Sequence, residues 1–183
     1  MCKRNFISKE QKDHTMYRNI VSFVAKGTDS GKTYLIERLI EEYKKRGMKV
    51  AAVKHASHLG QVDKEGKDTH RFARKGADRI VLFSDHALML YEFSCPGTDY
   101  LAELAGRSMD IVFVEGFKKG PFPKIEVFNP SLYGTPLCLE NPEEKDAYIA
   151  LVSREPFDAG LPWFSFDDIE GLCAFIDGRI RQK

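Results

Sequence analysis

Cysteine is sparse in this sequence and shows no pairing pattern. The four residues, Cys2, Cys95, Cys138 and Cys173, stand far apart with no C-x-x-C among them. That excludes zinc-ribbon and redox-motif readings and leaves reduced thiols in a cytoplasmic protein. No apolar run approaches the roughly 18 residues a membrane span needs. The first residues are charged and carry no apolar h-region, so no secretory signal is read there. A net charge of +1 offers no bulk argument for nucleic acid or an anionic membrane as partner. His55, His58 and His70 fall in no familiar metal spacing. There is no internal repeat and no low-complexity segment.

What the chain does have is length and alternation. Its 183 residues make roughly one domain, large enough to bury a core without disulfides or metals. Residues 1–16 are expected to be a tail and 17–183 the folded domain. Residues 20–25 are a short β-branched run and read as a buried strand. Residues 33–46 read as a helix with Leu35, Ile36, Leu39, Ile40 and Tyr43 on one face, and Gly47 takes the C-cap place. Residues 49–53 read as a second strand. A strand–helix–strand crossover of this kind makes parallel neighbours.

Residues 55–67 read as a long loop, 68–75 as a short helix ended by Gly76, and 79–84 with 87–93 as a hairpin about Asp85-His86. The stretch 100–105 predicts a helical turn, while 110–114, 125–128, 147–152 and 163–166 predict strands. Residues 130–145 read as turns. A helix from about Asp168, N-capped by Asp167, carries Ile169, Leu172, Cys173, Ile176 and Ile180 on one face. The alternation indicates an α/β fold with a mostly parallel sheet flanked by helices.

Between the first strand and helix stands Lys26-Gly27-Thr28-Asp29-Ser30-Gly31-Lys32-Thr33, followed by Tyr34. The phosphate-loop pattern is G-x-x-x-x-G-K-[ST], set between a strand and a helix. Gly31, Lys32 and Thr33 fit; Lys26 replaces the first glycine, and Gly27 comes one residue later. Gly31 allows a tight turn without a Cβ clash. The N–H groups from Asp29 to Thr33 would form an anion nest, aided by the partial positive charge of the helix N-terminus. Lys32 would reach the β/γ-phosphates and the Thr33 hydroxyl would ligate Mg²⁺. Residues 17–183 thus read as a P-loop nucleotide-binding domain. Asp29 is the odd member, an acid in a polyphosphate loop. It either faces away or positions a metal, a nucleophile or a partner.

A second acidic position follows from D-I-V-F-V-E-G-F-K, residues 110–118. The apolar strand delivers Glu115 at its carboxyl end, where open α/β sheets bind ligands. There Glu115 would hold Mg²⁺ through water or orient an attacking water, and Gly116 would admit the γ-phosphate. Asp110, at the other end of the strand, ranks below it. Lys54-His55 ends the second strand on the carboxyl side, and Asp68 follows in G-K-D-T. Both are candidates for phosphate, metal or switch contacts.

The segments K-G-T-D-S-G-K-T, V-K-H (53–55), G-K-D-T (66–69), V-E-G-F-K (114–118) and P-K-I-E-V (123–127) come in an order and at separations that resemble the molybdopterin-guanine dinucleotide biosynthesis protein B (MobB) family. V-S-R-E-P-F (152–157) and the F-S-F-D-D before the last helix are similar to that family's C-terminal portion. The likeness covers about residues 17–181. It implies a P-loop NTPase-like fold with a β-hairpin extension, GTP with Mg²⁺ as ligand, and weak GTPase turnover at most. It implies an adapter in molybdenum cofactor biosynthesis, beside the guanylyltransferase MobA and upstream of apo-molybdoenzymes. It also implies a homodimer, with the hairpin as the candidate contact. In these terms Gly27 to Tyr34 bind the nucleotide, Lys32 and Glu115 act in turnover, and Thr33, Glu115 and Asp68 hold the metal.

Tyr34 stands where many members have a second threonine, and no N-K-x-D guanine signature occurs. Guanine over adenine therefore rests on the resemblance, with 153–156 as the candidate base-contact loop. Two other functions use the same phosphate site. A small-molecule kinase would need a lid with arginines, for which the 55–67 loop is available. A non-catalytic module would need a degenerate loop, which the intact Lys32 and Thr33 oppose. Arg71, Arg74, Arg107 and Arg154 have no positional support as an arginine finger. Lys118, Lys119 and Lys124 form a basic stretch that would suit a phosphorylated pterin, molybdopterin, although a solvated face is the plainer reading.

Overall fold

The computed structural model describes residues 17–56, 60, 63–94 and 97–181; the expected 1–16 tail and parts of the 55–67 loop lie outside them. The chain divides into two compact units, of which residues 56–97 form the smaller. In chain order the strands are β1 (Ile20–Val24), β2 (Val50–Lys54), β3 (Arg79–Phe83), β4 (Leu88–Glu92), β5 (Ile111–Glu115), β6 (Lys124–Val127), β7 (Tyr148–Ser153) and β8 (Trp163–Ser165). The helices are α1 (Lys32–Lys45), α2 (Asp68–Arg74), α3 (Thr98–Gly106), α4 (Leu137–Glu140) and α5 (Ile169–Arg181), with a 3₁₀ turn at Pro142–Ala147.

The larger unit is one six-stranded sheet in the order β2-β5-β1-β6-β7-β8, parallel throughout. Its central strands are apolar on both sides because helices cover both faces. Alternation along β5 sorts them: Ile111 and Phe113 join the core beneath α1 and α5 with Leu35, Leu39, Tyr43, Leu172 and Ile176, while Val112 and Val114 join the core beneath α3 with Tyr17, Ala102 and Phe122. Helix α1 ends as expected at Gly47, whose φ is +76°. Gly47 N–H donates to the Lys44 carbonyl at 3.0 Å and Met48 N–H to that of Tyr43 at 3.1 Å, the two bonds of a Schellman end. This is the P-loop NTPase-like arrangement, with every carboxyl end of the sheet on one edge.

Four local expectations are corrected. The turn read at 100–105 is the nine-residue helix α3. The turn-rich stretch 130–145 holds α4 and the 3₁₀ turn. Helix α4 is anchored from a distance: the buried Glu126 carboxylate of β6 accepts the N–H of Leu137 at 2.6 Å and of Cys138 at 3.0 Å. Asp168, not Asp167, caps α5, its Oδ1 accepting the Gly171 N–H at 3.0 Å. Lys124 is only 4% exposed and donates to the Gly120 carbonyl at 2.9 Å. It leaves the basic surface because β6 runs between β1 and β7.

Burial pushes the Glu126 carboxyl up, against the two N–H groups that hold it down. Glu126→Gln keeps the shape but turns one N–H toward an amide NH₂. It is expected to cost about 1–3 kcal/mol, the penalty of an unmet buried donor, read as a lower urea midpoint at unchanged slope. The thiols of Cys138 and Cys173 are free and buried, and burial pushes them up to about 12 and about 11.

In the smaller unit β3 and β4 pair antiparallel, Phe83 opposite Leu88 and Val81 opposite Leu90. The turn closes through the Ser84 N–H donating to the Ala87 carbonyl at 2.8 Å. One face of this hairpin carries Val81, Phe83 and Leu88 exposed, Phe83 at 83%. No described helix is long and apolar enough to cross a membrane.

Candidate functional site

Strand β1 ends at Val24 and the chain turns through residues 26–31 into α1. Asp29 (φ 56°) and Gly31 (φ 89°) both adopt the left-handed region, a reversal that turns successive N–H groups to one side as an anion nest. Gly31 is the N-cap of α1 and no side chain caps the helix, which leaves its first N–H groups to a ligand. A Cβ on Gly31 would come within 2.9 Å of the Phe166 ring, and one on Gly27 would run into the Tyr133 hydroxyl. Near the start of the loop it is therefore Gly27, not position 26, whose lack of a side chain the packing uses. The Lys26 side chain leaves the loop to pair with Glu140 at 2.5 Å, and its carbonyl accepts Lys118 Nζ at 2.8 Å. Ser30 is buried, its hydroxyl donating to the Gly27 carbonyl at 3.3 Å, whereas Thr28 and Asp29 are exposed.

Lys32 Nζ donates to the Gly27 carbonyl at 2.8 Å, folded across the loop it would use to hold phosphate. Burial lowers its pKa, with Glu115 pulling the other way. Thr33 Oγ1 donates to Glu115 Oε2 at 3.1 Å, and Lys54 Nζ lies 3.5 Å from Glu115 Oε1. Sheet register produces the meeting of Lys54 with Glu115. Glu115 pairs with Phe23 on one side and with Lys54 on the other, so all three reach the same edge at the same level. One hydroxyl and one carboxylate are hard oxygen donors with coordination positions to spare, which suits Mg²⁺.

The sequence-predicted residues are thereby sorted. Gly27 to Tyr34 form one loop and helix start, and Glu115 joins Thr33. Gly116 has the expected left-handed backbone, φ 84°. Its N–H, however, donates to the Phe23 carbonyl at 2.9 Å, so in this state it has no donor to offer the γ-phosphate. Asp68 belongs to the smaller unit, where it opens α2 and pairs with Arg71 at 3.3 Å. Asp110 accepts the Lys49 N–H at 2.6 Å at the amino end of β5, a structural task. Neither Tyr133 nor Phe166, the two rings against the loop glycines, was legible beforehand, because each comes from a segment more than a hundred residues away in sequence.

Residues 20–154 match the sequence model of MobB, molybdopterin guanine dinucleotide synthesis protein B. The chain belongs to the MobB family. It is 35% identical over 151 residues to the molybdopterin-guanine dinucleotide biosynthesis adapter protein of Haemophilus influenzae, covering 81% of this chain and 82% of that one. It is 32% identical over 156 residues to the adapter protein of Escherichia coli, covering 80% and 85%. The crystal structure of Bacillus subtilis MobB superposes with a TM-score of 0.66 at 28% identity, covering 90% of this chain and 99% of that one. A crystal structure of molybdopterin-guanine biosynthesis protein B gives 0.65 at 29%, covering 89% and 99%. The MobB fold is therefore shared along almost the whole length of both structures, and the 26–33 loop and Glu115 lie within the matched residues 20–154.

Proposed function

We propose that this MobB-family chain binds GTP with Mg²⁺ at the 26–33 loop and acts as an adapter in molybdopterin guanine dinucleotide biosynthesis, with weak GTPase activity at most. The observation that carries the reading is the meeting of Lys32, Thr33 and Glu115 at the carboxyl ends of β1 and β5. Lys32 would exchange the Gly27 carbonyl for a phosphate oxygen, and the uncapped N–H groups of α1 would take the remaining charge. Mg²⁺, held by Thr33 and Glu115, would neutralise the phosphates when bound. Two lysines, Lys32 and Lys54, stand beside Glu115. An arginine finger is worth ~10³–10⁵ in rate, and turnover without one is expected to be slow.

The adapter role comes from the likeness to the adapter proteins of H. influenzae and E. coli. Partners in that role are a MobA-type guanylyltransferase, apo-molybdoenzymes and a second copy of this chain, with molybdopterin as a further ligand. The exposed apolar face of Val81, Phe83 and Leu88 supports the second copy. Sedimentation of the purified protein as a monomer at all concentrations would remove that partner.

The nucleotide proposal is tested by calorimetric titration with non-hydrolysable GTP and ATP analogues, each with Mg²⁺. A preference for the guanosine analogue supports it. A preference for the adenosine analogue, joined by phosphate transfer from ATP itself to an acceptor in a separate assay, points to a kinase instead. A folded protein that binds neither ends the proposal.

A further inference from the structure

A cleft of about 500 Å³ opens beside the phosphate loop. One wall is Asp29 to Gly31 with Tyr34; the other is built from residues that follow β6, β7 and β8, among them Asn129, Arg154, Phe166 and Asp167. The volume is that of a small-ligand pocket. We propose that this cleft takes the base of the nucleotide whose phosphates the loop holds, and that Asp167 and Asn129 select guanine. The inference rests on the phosphate-loop reading above.

Position argues first. The cleft shares Asp29, Ser30 and Gly31 with the loop, so a nucleotide with its phosphates at the start of α1 has its nucleoside end beside this opening. Two carboxylates, Asp29 and Asp167, border it, which suits the uncharged part of a nucleotide better than more phosphate. Phe166, packed against Gly31, offers an apolar surface for a ring.

Chemistry argues second. The Asp167 turn is held in place: its N–H donates to Ser165 Oγ at 3.0 Å, and Arg38 bridges the Phe166 carbonyl at 2.6 Å and Asp167 Oδ1 at 3.2 Å. The Asp167 side chain is nevertheless 93% exposed, so Arg38 leaves most of it open to a ligand. An ionised carboxylate only accepts. Guanine offers N1–H and the 2-amino group side by side, where adenine offers the lone pair of N1. Asn129 Oδ1 already accepts the Ser131 N–H at 3.0 Å, which leaves its NH₂ to donate. Guanine O6 accepts such a donor; the 6-amino group of adenine opposes it. Asn129 is half-buried, and a base edge that must meet a donor there and an acceptor at Asp167 is what makes such a site selective.

The test is equilibrium titration of the full chain and of Asp167→Asn with the Mg²⁺ complexes of a non-hydrolysable GTP analogue, the corresponding xanthosine nucleotide and inorganic triphosphate. Asn at 167 keeps an acceptor for Arg38. The expected result is a roughly ten- to hundredfold weaker guanosine nucleotide, tighter binding of the xanthosine nucleotide, whose 2-oxo group meets the new amide, and unchanged triphosphate. Unchanged guanosine affinity, or an equal loss for triphosphate, overturns the base assignment while wild-type triphosphate binding keeps the phosphate site standing. A wild-type chain that binds no triphosphate overturns both.

Discussion

Lys32→Ala is expected to weaken Mg²⁺–GTP about a hundredfold while the protein stays folded. Lys32 already spans the loop, its ammonium 2.8 Å from the Gly27 carbonyl. That bond is charge-assisted but has an ordinary neutral acceptor. Replacing it by bonds to a polyphosphate gains a full charge interaction, and hydrogen bonds to charged groups contribute about 1.5–3 kcal/mol each. The same ammonium is partly desolvated, so its removal also relieves a cost in the ligand-free protein. Stability should therefore change little, by roughly half a kcal/mol in either direction. Calorimetry gives the affinity and a thermal melt gives the fold. A variant that melts normally and binds GTP as tightly as wild type would show that Lys32 does not hold phosphate.

The second large effect concerns the metal. Thr33→Ala and Glu115→Gln should each remove most of the Mg²⁺-dependent part of GTP affinity, roughly tenfold or more, and the double variant should be hardly worse than either alone. The 3.1 Å bond between Thr33 Oγ1 and Glu115 Oε2 puts the two donors at one point, and groups that serve one ion are strongly non-additive. Glu115→Gln also loosens Lys54, which sits 3.5 Å away; that contact is largely exposed on the lysine side and contributes little. The measurement is GTP affinity against Mg²⁺ concentration for wild type, both single variants and the double. Losses that simply add would mean that the two residues do separate jobs, and Glu115 would then belong with the attacking water rather than the ion.

The parts of this protein that a reader of the sequence can obtain are those whose signals are local. The G-K-T of the loop, the 3.6-residue face of α1, the C-cap Gly47 and the β-branched runs of β1 and β5 each declare themselves within a dozen residues. They suffice for a parallel α/β fold, a glycine turn of phosphate-loop pattern between strand and helix, and an acid at the end of the third apolar run. Composition likewise shows that the cysteines lack a pairing motif and that the net charge is small. Family membership was legible for the same reason, because it rests on short motifs in a fixed order.

Tertiary structure decided what depends on partners distant in sequence. Asp167 and Asp168 are adjacent and identical in type; only the pull of Arg38 on one and the Gly171 N–H beside the other make the second the cap and leave the first at the cleft. Lys124 reads as a surface lysine until β6 is seated between β1 and β7. Helix α4 is too short to announce itself and exists where Glu126, eleven residues earlier, meets its N-terminus. Register brought Lys54 to Glu115, the start of α1 brought Thr33 to the same carboxylate, and chain reversal set Tyr133 and Phe166 against the loop glycines. Periodicity, caps and turns are properties of a few consecutive residues, so the sequence alone determined them; burial, ion pairing and the walls of a cleft are properties of segments far apart along the chain, and only the packed sheet and its helices could settle them.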